Sequence, residues 1–222
     1  MTAEPPVSLP GTAAGISSAS STAPALTAPG LAAPNLTPPG LTADAADLGH
    51  LPQALRAGAD MSGVSDPRLL RALDWWRGLA TVSALPLPDR AQIDPAAITD
   101  LLPYCILWDV LHGPNDTRLY RCRLAGTILC EVYGRDGRGL MLHEMFGDDT
   151  AQMQAGLDVA AIHARPFHAE HRMTWAKKDF YKYRRVLLPF THRAAALRLD
   201  GQREENPARV GLLMNVISFV PE

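Results

Sequence analysis

Residues 118–134 read RLYRCRLAGTILCEVYG, and the spacing of their apolar side chains changes at Gly126. Before Gly126, apolar and basic side chains alternate, which predicts a strand over 118–125 with one buried side and one exposed side. The predicted buried side carries Tyr120, Cys122 and Leu124. After Gly126, apolar residues recur at helical spacing up to Gly134, a typical helix end. A strand therefore leads directly into a helical segment.

Further strand signals lie on both sides of this segment. Residues 104–111 form a nearly continuous apolar run followed by a turn, and residues 167–175 alternate with Phe167, His171 and Trp175 on the apolar side. Residues 177–183 read as a polar turn before a strand that carries Val186, Leu188 and Phe190. Residues 210–220 are apolar on both sides, so this strand is either central or covered by another element or chain.

Helical patterns surround and interrupt the strands. Asp66 and Pro67 are a typical helix start, and apolar spacing predicts an amphipathic helix over 67–80 and a short second helix over 97–102. Short helices are predicted over 126–134 and 140–146, and a longer one follows to about Ala164, with Ile162 on its apolar side. The order predicts an α+β fold: five antiparallel strands, with helices inserted between the second and third. A ligand cavity is expected between these helices and the sheet.

Composition separates the first part of the chain from the rest. Ala, Pro, Ser, Thr and Gly dominate residues 1–50, so we expect a disordered tail over 1–64 and a folded domain over 65–222. A P-x-L repeat over 24–41 is typical of a low-complexity linker, or of a segment that docks into a partner's groove.

Charge, cysteine content and hydropathy exclude several classes of protein. The formal charge of −2 argues against a nucleic-acid-binding protein, since such proteins neutralise phosphates with excess basic residues. The three cysteines have no C-x-x-C spacing and indicate a reduced compartment. No apolar run approaches the length of a membrane span, and the N-terminus lacks the pattern of a secretory signal. We therefore expect a cytoplasmic protein without membrane contact.

Several local motifs are similar to a PAS-like family of α-proteobacteria that was first described as a domain of unknown function. They are LDWW at 73–76, LPLPDR at 85–90, YRCRLAGT at 120–127, YGRD at 133–136 and RVLLP at 185–189. The resemblance covers about residues 66–220. It implies a PAS domain, a fold that senses small molecules, light or redox state, or that serves as a dimerising interaction module.

Candidate site residues follow from the apolar positions around the expected cavity. The candidates for ligand binding are Cys122, Cys130, Tyr133, His143, His171 and Trp175. The spacing of His163, His168, Glu170 and His171 is poor for a metal site, so no metal is assigned and the cofactor stays unknown. A cluster of basic residues, Lys177, Lys178, Lys182, Arg184 and Arg185, is interpreted as a solvated hairpin tip or a contact patch for an anionic ligand or acidic partner.

The leading hypothesis is a sensory or adaptor module for bacterial signalling that binds a small ligand, a signalling protein, or both. The helix over 67–80 is the expected homodimer element, with Leu73, Trp75 and Trp76 at the interface. No catalytic residues are assigned. One alternative is a small α+β enzyme with His171 and Asp109 as acid–base residues, and another is a purely structural interaction domain.

Overall fold

The computed structural model describes residues 52–83, 87–172, 182–192, 196–197, 203–204 and 209–220. The helices are α1 (Gln53–Gly58), α2 (Pro67–Val82), α3 (Thr127–Tyr133), α4 (Leu142–Phe146) and α5 (Thr150–Ile162). The strands are β1 (Cys105–His112), β2 (Arg118–Ala125), β3 (Phe167–Arg172), β4 (Lys182–Thr191), β5 (Ala196–Leu197), β6 (Arg203–Glu204) and β7 (Val210–Val220). The P-x-L repeat, Trp175, Lys177 and Lys178 lie outside the described residues.

Five strands form one antiparallel sheet in the order β2-β1-β7-β4-β3. Helices α3, α4 and α5 lie between β2 and β3 in the chain, so the predicted α+β topology is confirmed. β7 occupies the centre, and its residues from Val210 to Ser218 are all buried. Of the alternatives open for this doubly apolar strand, the structure shows the central position. The two-residue strands β5 and β6 pair with each other, separately from this sheet.

Helix α2 covers one face of the sheet. Asp66 caps the helix, because its Oδ1 accepts hydrogen bonds from the backbone N–H of Arg68 and of Leu69. Its other oxygen accepts a hydrogen bond of 2.6 Å from the Ser218 hydroxyl on β7, which ties the start of the helix to the central strand. Trp76 Nε1 donates to the Pro189 carbonyl at 2.8 Å. The predicted helix thus lies on the sheet, on what we call the α2 face.

The inserted helices cover the opposite face, called here the insert face. Phe146 of α4 packs against Trp108 with 6.3 Å between ring centroids, and Met153 of α5 accepts a hydrogen bond from Tyr183. Trp108 and Tyr183 lie on this face of the sheet, as the pairing register requires. Both faces of β7 are therefore covered by elements of the same chain.

The prediction that Leu124 lies on the buried side of β2 is wrong, because the strand contains a bulge. Leu107 pairs with Leu124 but Trp108 pairs with Cys122, so Arg123 is an extra residue on β2. The extra residue reverses the alternation beyond it. Tyr120 and Cys122 are buried as expected, whereas Leu124 is 39% exposed.

Other boundaries also differ from the sequence predictions. Ordered structure begins before Ser65, since α1 and a 3₁₀ turn at Met61–Gly63 lie inside the range assigned to the tail. The predicted second helix is instead a pair of 3₁₀ turns at Pro95–Ile98 and Leu102–Tyr104. Lys182 and Tyr183 belong to β4 rather than to the polar turn.

The prediction for Ile162 is also wrong. Ile162 was expected on the apolar side of its helix, but it is exposed at the last position of α5.

Among the described residues, no helix has the length and apolar content that crossing a bilayer requires.

Replacing glycine by alanine should change the free energy of unfolding in opposite directions at Gly78 and at Gly126. Gly78 lies in the exposed interior of α2 and has open space around its missing Cβ, so Gly78→Ala should stabilise the protein by about 0.5–1 kcal/mol. At Gly126, a Cβ would collide with the backbone carbonyls of Leu102 and Pro103. Gly126→Ala should therefore destabilise by about 1–3 kcal/mol. Urea unfolding of both variants measures the difference, and equal free energies of unfolding would contradict this packing.

Candidate functional site

Four buried side-chain polar atoms in the described part of the chain have no hydrogen-bond partner. They are Nε1 of Trp108, Nε2 of His171, Nε of Arg185 and Oδ1 of Asn215. An unsatisfied buried group costs about 1–3 kcal/mol, so such groups are rare in folded proteins and each requires a reason. All four belong to residues of the insert face.

The pairing register places these four residues on one line across the sheet. The line runs from His171 on β3 through Arg185 on β4 and Asn215 on β7 to Trp108 on β1, advancing two residues at each strand. Steps of two keep every side chain on the same face, and diagonal neighbours on one face lie about 7–8 Å apart. We call this line of four residues the polar diagonal.

Arg185 is the charged member of the polar diagonal, and it is 1% exposed. Its guanidinium donates to the Met153 carbonyl at 3.4 Å and approaches the Met153 sulfur at 3.8 Å. Among the described residues, no carboxylate lies within ion-pair distance of it. Burial lowers the pKa of Arg185, although an arginine remains charged in proteins. Within the described part of the chain, the insert face therefore contains a buried positive charge without a counter-ion.

The titratable groups around Arg185 are neutral. Burial, followed by repulsion from Arg185, lowers the pKa of His171 to about 4. Burial raises the pKa of Tyr183 to about 12 and raises that of Tyr133 further. Further across the same face, on β2, burial raises the pKa of the Cys122 thiol to about 12. At neutral pH these groups carry no negative charge that could balance the guanidinium.

A cleft of about 420 Å³ leads to this part of the insert face. It lies between α1, α5 and β3, and both His171 and Arg185 line it. Two glycines keep the covering helices close to the sheet. A Cβ on Gly156 would come within 2.7 Å of Arg185 Nη2, and one on Gly58 would collide with the ring of Phe167. The volume is within the range of small-molecule sites.

The structure brings only some of the predicted ligand residues to this region. His171 belongs to the polar diagonal, and Cys122 lies buried on the same face of the sheet, paired with Trp108. Tyr133 packs edge-on against Phe146, and Cys130 is partly buried with its thiol 3.7 Å from the Ala125 carbonyl. His143 is exposed on α4.

Three members of the polar diagonal were not predicted from the sequence. Of the two interpretations of its basic cluster, the solvated hairpin tip is wrong for Arg185, because the residue lies within β4 and is buried; the contact patch stays a prediction. A signal was available: residues 186–190 are apolar on both sides, so the position just before them belongs to a covered strand. Trp108 and Asn215 gave no comparable signal within their apolar runs.

The residues expected at a dimer interface pack against other residues of their own chain. Leu73 and Trp76 are buried at 1% and 2% exposure, and Trp75 packs against Phe190 of β4 with 6.1 Å between ring centroids. They contact the sheet of their own chain. An apolar helix side can cover either a sheet or a second copy of the chain, and here it covers the sheet. A homodimer stays a prediction, and it would have to use the outward side of α2.

Asp109 and His171 do not meet. Asp109 follows Trp108 in β1 and therefore lies on the α2 face, whereas His171 lies on the insert face. The Asp109 carboxylate accepts hydrogen bonds from Arg121 at 3.1 Å and from Arg123 at 3.0 Å. These two residues thus form no common acid–base site. The described residues also contain no group of His, Cys, Asp and Glu side chains that could hold a metal ion.

The comparisons with known proteins agree with the fold. The family model described as PAS domain matches residues 64–202, which confirms the resemblance seen in the sequence. No curated protein matches the chain. No solved structure matches it.

The low pKa of His171 predicts a specific acid sensitivity. The unfolded chain binds a proton at His171 near pH 6.5, whereas the folded chain does so only near pH 4. Stability from this residue is therefore full above about pH 6.5 and is lost as the pH falls toward 4. His171→Gln should reduce the acid-induced loss in the free energy of unfolding by an amount on the order of 2 kcal/mol.

Urea unfolding at a series of pH values from 7.5 to 4.5 measures this difference. His143→Gln changes an exposed histidine and serves as the control. Parallel pH profiles for His171→Gln and the unmodified chain would contradict the burial of His171.

Proposed function

We propose that this chain, which belongs to the PAS domain family, binds a small ligand between its sheet and its inserted helices and signals that binding to a partner protein. Membership of the family indicates a sensory or signalling module, and PAS domains are generally non-enzymatic. The ligand, the partner and the path between them are proposed from the geometry of the insert face.

The polar diagonal is the observation that supports a ligand most directly. A core that only held the fold together would be more stable with apolar side chains at these positions, because each unsatisfied polar atom opposes folding. Here four such atoms, from four adjacent strands, face the same helical layer. Donors and acceptors are both present, as orientation of a small molecule in a pocket requires.

Helix α5 is suited to report the occupancy of this region. Met153, near its start, contacts both Arg185 and Tyr183, and Gly156 lies directly over Arg185. Asp158, one turn further, accepts a hydrogen bond of 2.5 Å from Tyr120 on the edge strand β2. A ligand that engages Arg185 competes with Met153, so its binding free energy favours a different position of α5.

Native mass spectrometry and thermal denaturation of the full chain test this function. We expect a small molecule to be retained from expression, or to be found in a metabolite panel, and to raise the melting temperature. Asn215→Leu removes an unsatisfied acceptor from the polar diagonal, so the ligand-free variant should be at least as stable as the unmodified protein. Its affinity for the ligand should be lower by about tenfold or more.

Gly78→Ala is the matched control, since it also raises stability but lies on α2, away from the insert face. An undiminished ligand response in Asn215→Leu would place the ligand elsewhere. If the panel and the expressed protein yield no ligand, the function proposed here is wrong.

A further inference from the structure

The charge of the insert face limits the chemical class of ligand. Arg185 contributes one positive charge, and its described neighbours His171, Tyr133 and Tyr183 are all neutral at physiological pH. Removing an ion from water is costly unless an opposite charge and further hydrogen bonds replace the lost hydration. The two contacts to Met153 are a carbonyl and a thioether, which provide only partial replacement.

We infer that the ligand is a small organic monoanion, a carboxylate, whose charged group pairs with the Arg185 guanidinium; this rests on the function proposed above. A planar guanidinium binds a carboxylate through two parallel hydrogen bonds, and its unpartnered Nε–H is one of the donors needed. A phosphate dianion fits less well, because one positive charge would leave one negative charge buried and unbalanced.

The cleft permits an anion to approach. Its lining is mostly small or apolar: Leu55, Ala57, Gly58, Ala155, Gly156, Phe167 and Ala169. Glu170 is the one carboxylate among the residues that line it, and this side chain is neutralised by Arg184 at 2.9 Å and Lys182 at 3.9 Å. The lining therefore suits a molecule with an apolar body and one anionic group.

Asn215 and Trp108, the remaining members of the polar diagonal beyond Arg185, have polar atoms that suit further groups of such a ligand. Asn215 lies diagonally beyond Arg185 and presents an acceptor, and Trp108 follows with a donor. A carboxylate bound at Arg185 that also carries a hydroxyl group would donate a hydrogen bond to Asn215. Of the polar diagonal, His171 and Arg185 line the cleft, so the ligand's anionic group would lie there and its further polar groups would point toward Asn215.

Paired acids and amides test the inference on the full chain. Short aliphatic and aromatic carboxylates, such as butyrate and benzoate, are compared with butyramide and benzamide by thermal denaturation and calorimetry. The carboxylates should raise the melting temperature by about 2–4 °C at saturation, and the amides should not. Arg185→Met should weaken carboxylate binding about tenfold or more, and it should itself raise the melting temperature of the ligand-free protein.

Arg121→Met is the matched control, because it makes the same chemical change in the same sheet but on the α2 face. Arg185→Lys keeps the charge without the planar fork and should bind with intermediate affinity, so the comparison holds if Arg185→Met does not fold. Equal carboxylate responses in Arg185→Met and Arg121→Met would overturn the inference.

The two proposals fail in different ways. The amides could stabilise the protein as strongly as the acids do, with this stabilisation lost in Asn215→Leu. That result would overturn the inference that the ligand is an anion and would leave the proposed function intact. A chain that responds to neither series, with Arg185→Met no more stable than the unmodified protein, would overturn both.

Discussion

The double burial of β7 is the constraint on which the rest of the structure depends. An eleven-residue strand that is apolar on both sides must be covered twice, because either exposed face would leave a large apolar surface in water. The chain provides the two covers from different segments: α2 from before the sheet, and α3 to α5 from between β2 and β3. Once both covers are in place, polar side chains on the covered part of the sheet, such as Arg185 and Asn215, are removed from solvent.

Burial of the polar diagonal then opposes folding. Most of the insert face is filled by large apolar residues, whereas Arg185 and Asn215 each have a polar atom without a partner among the described residues. Proteins commonly retain such locally unfavourable groups at sites that act on another molecule, and replacing them raises stability at the expense of function. The position of the unfavourable groups is informative as well. They follow the register of the sheet from edge strand β3 to β1 rather than being scattered through the core.

The sequence was sufficient for the framework and insufficient for the site. Asp66 and Pro67 marked the start of α2, and alternation marked the strands, because caps and periodicity are local properties. The bulge at Arg123 could not be read, since it depends on how β2 pairs with β1. Arg185 was misplaced for a related reason. Its neighbours in the chain are basic, which is typical of a solvated turn, whereas its neighbours in space are α5 and the ring of Phe167.

Helix α5 connects the two halves of the sheet. Near its start Met153 and Gly156 contact Arg185 of β4, and further along Asp158 is bonded to Tyr120 of β2, on the opposite side of β7 and β1. The Tyr120 register position continues the polar diagonal by one more step of two residues, from Trp108 on β1 to β2. A packed helix that contacts this line at Arg185 and at Tyr120 is expected to move as a unit rather than to deform locally. Under the proposed function, competition at Arg185 would therefore reach Tyr120, and an anion bound beside β3 would act on the edge strand β2.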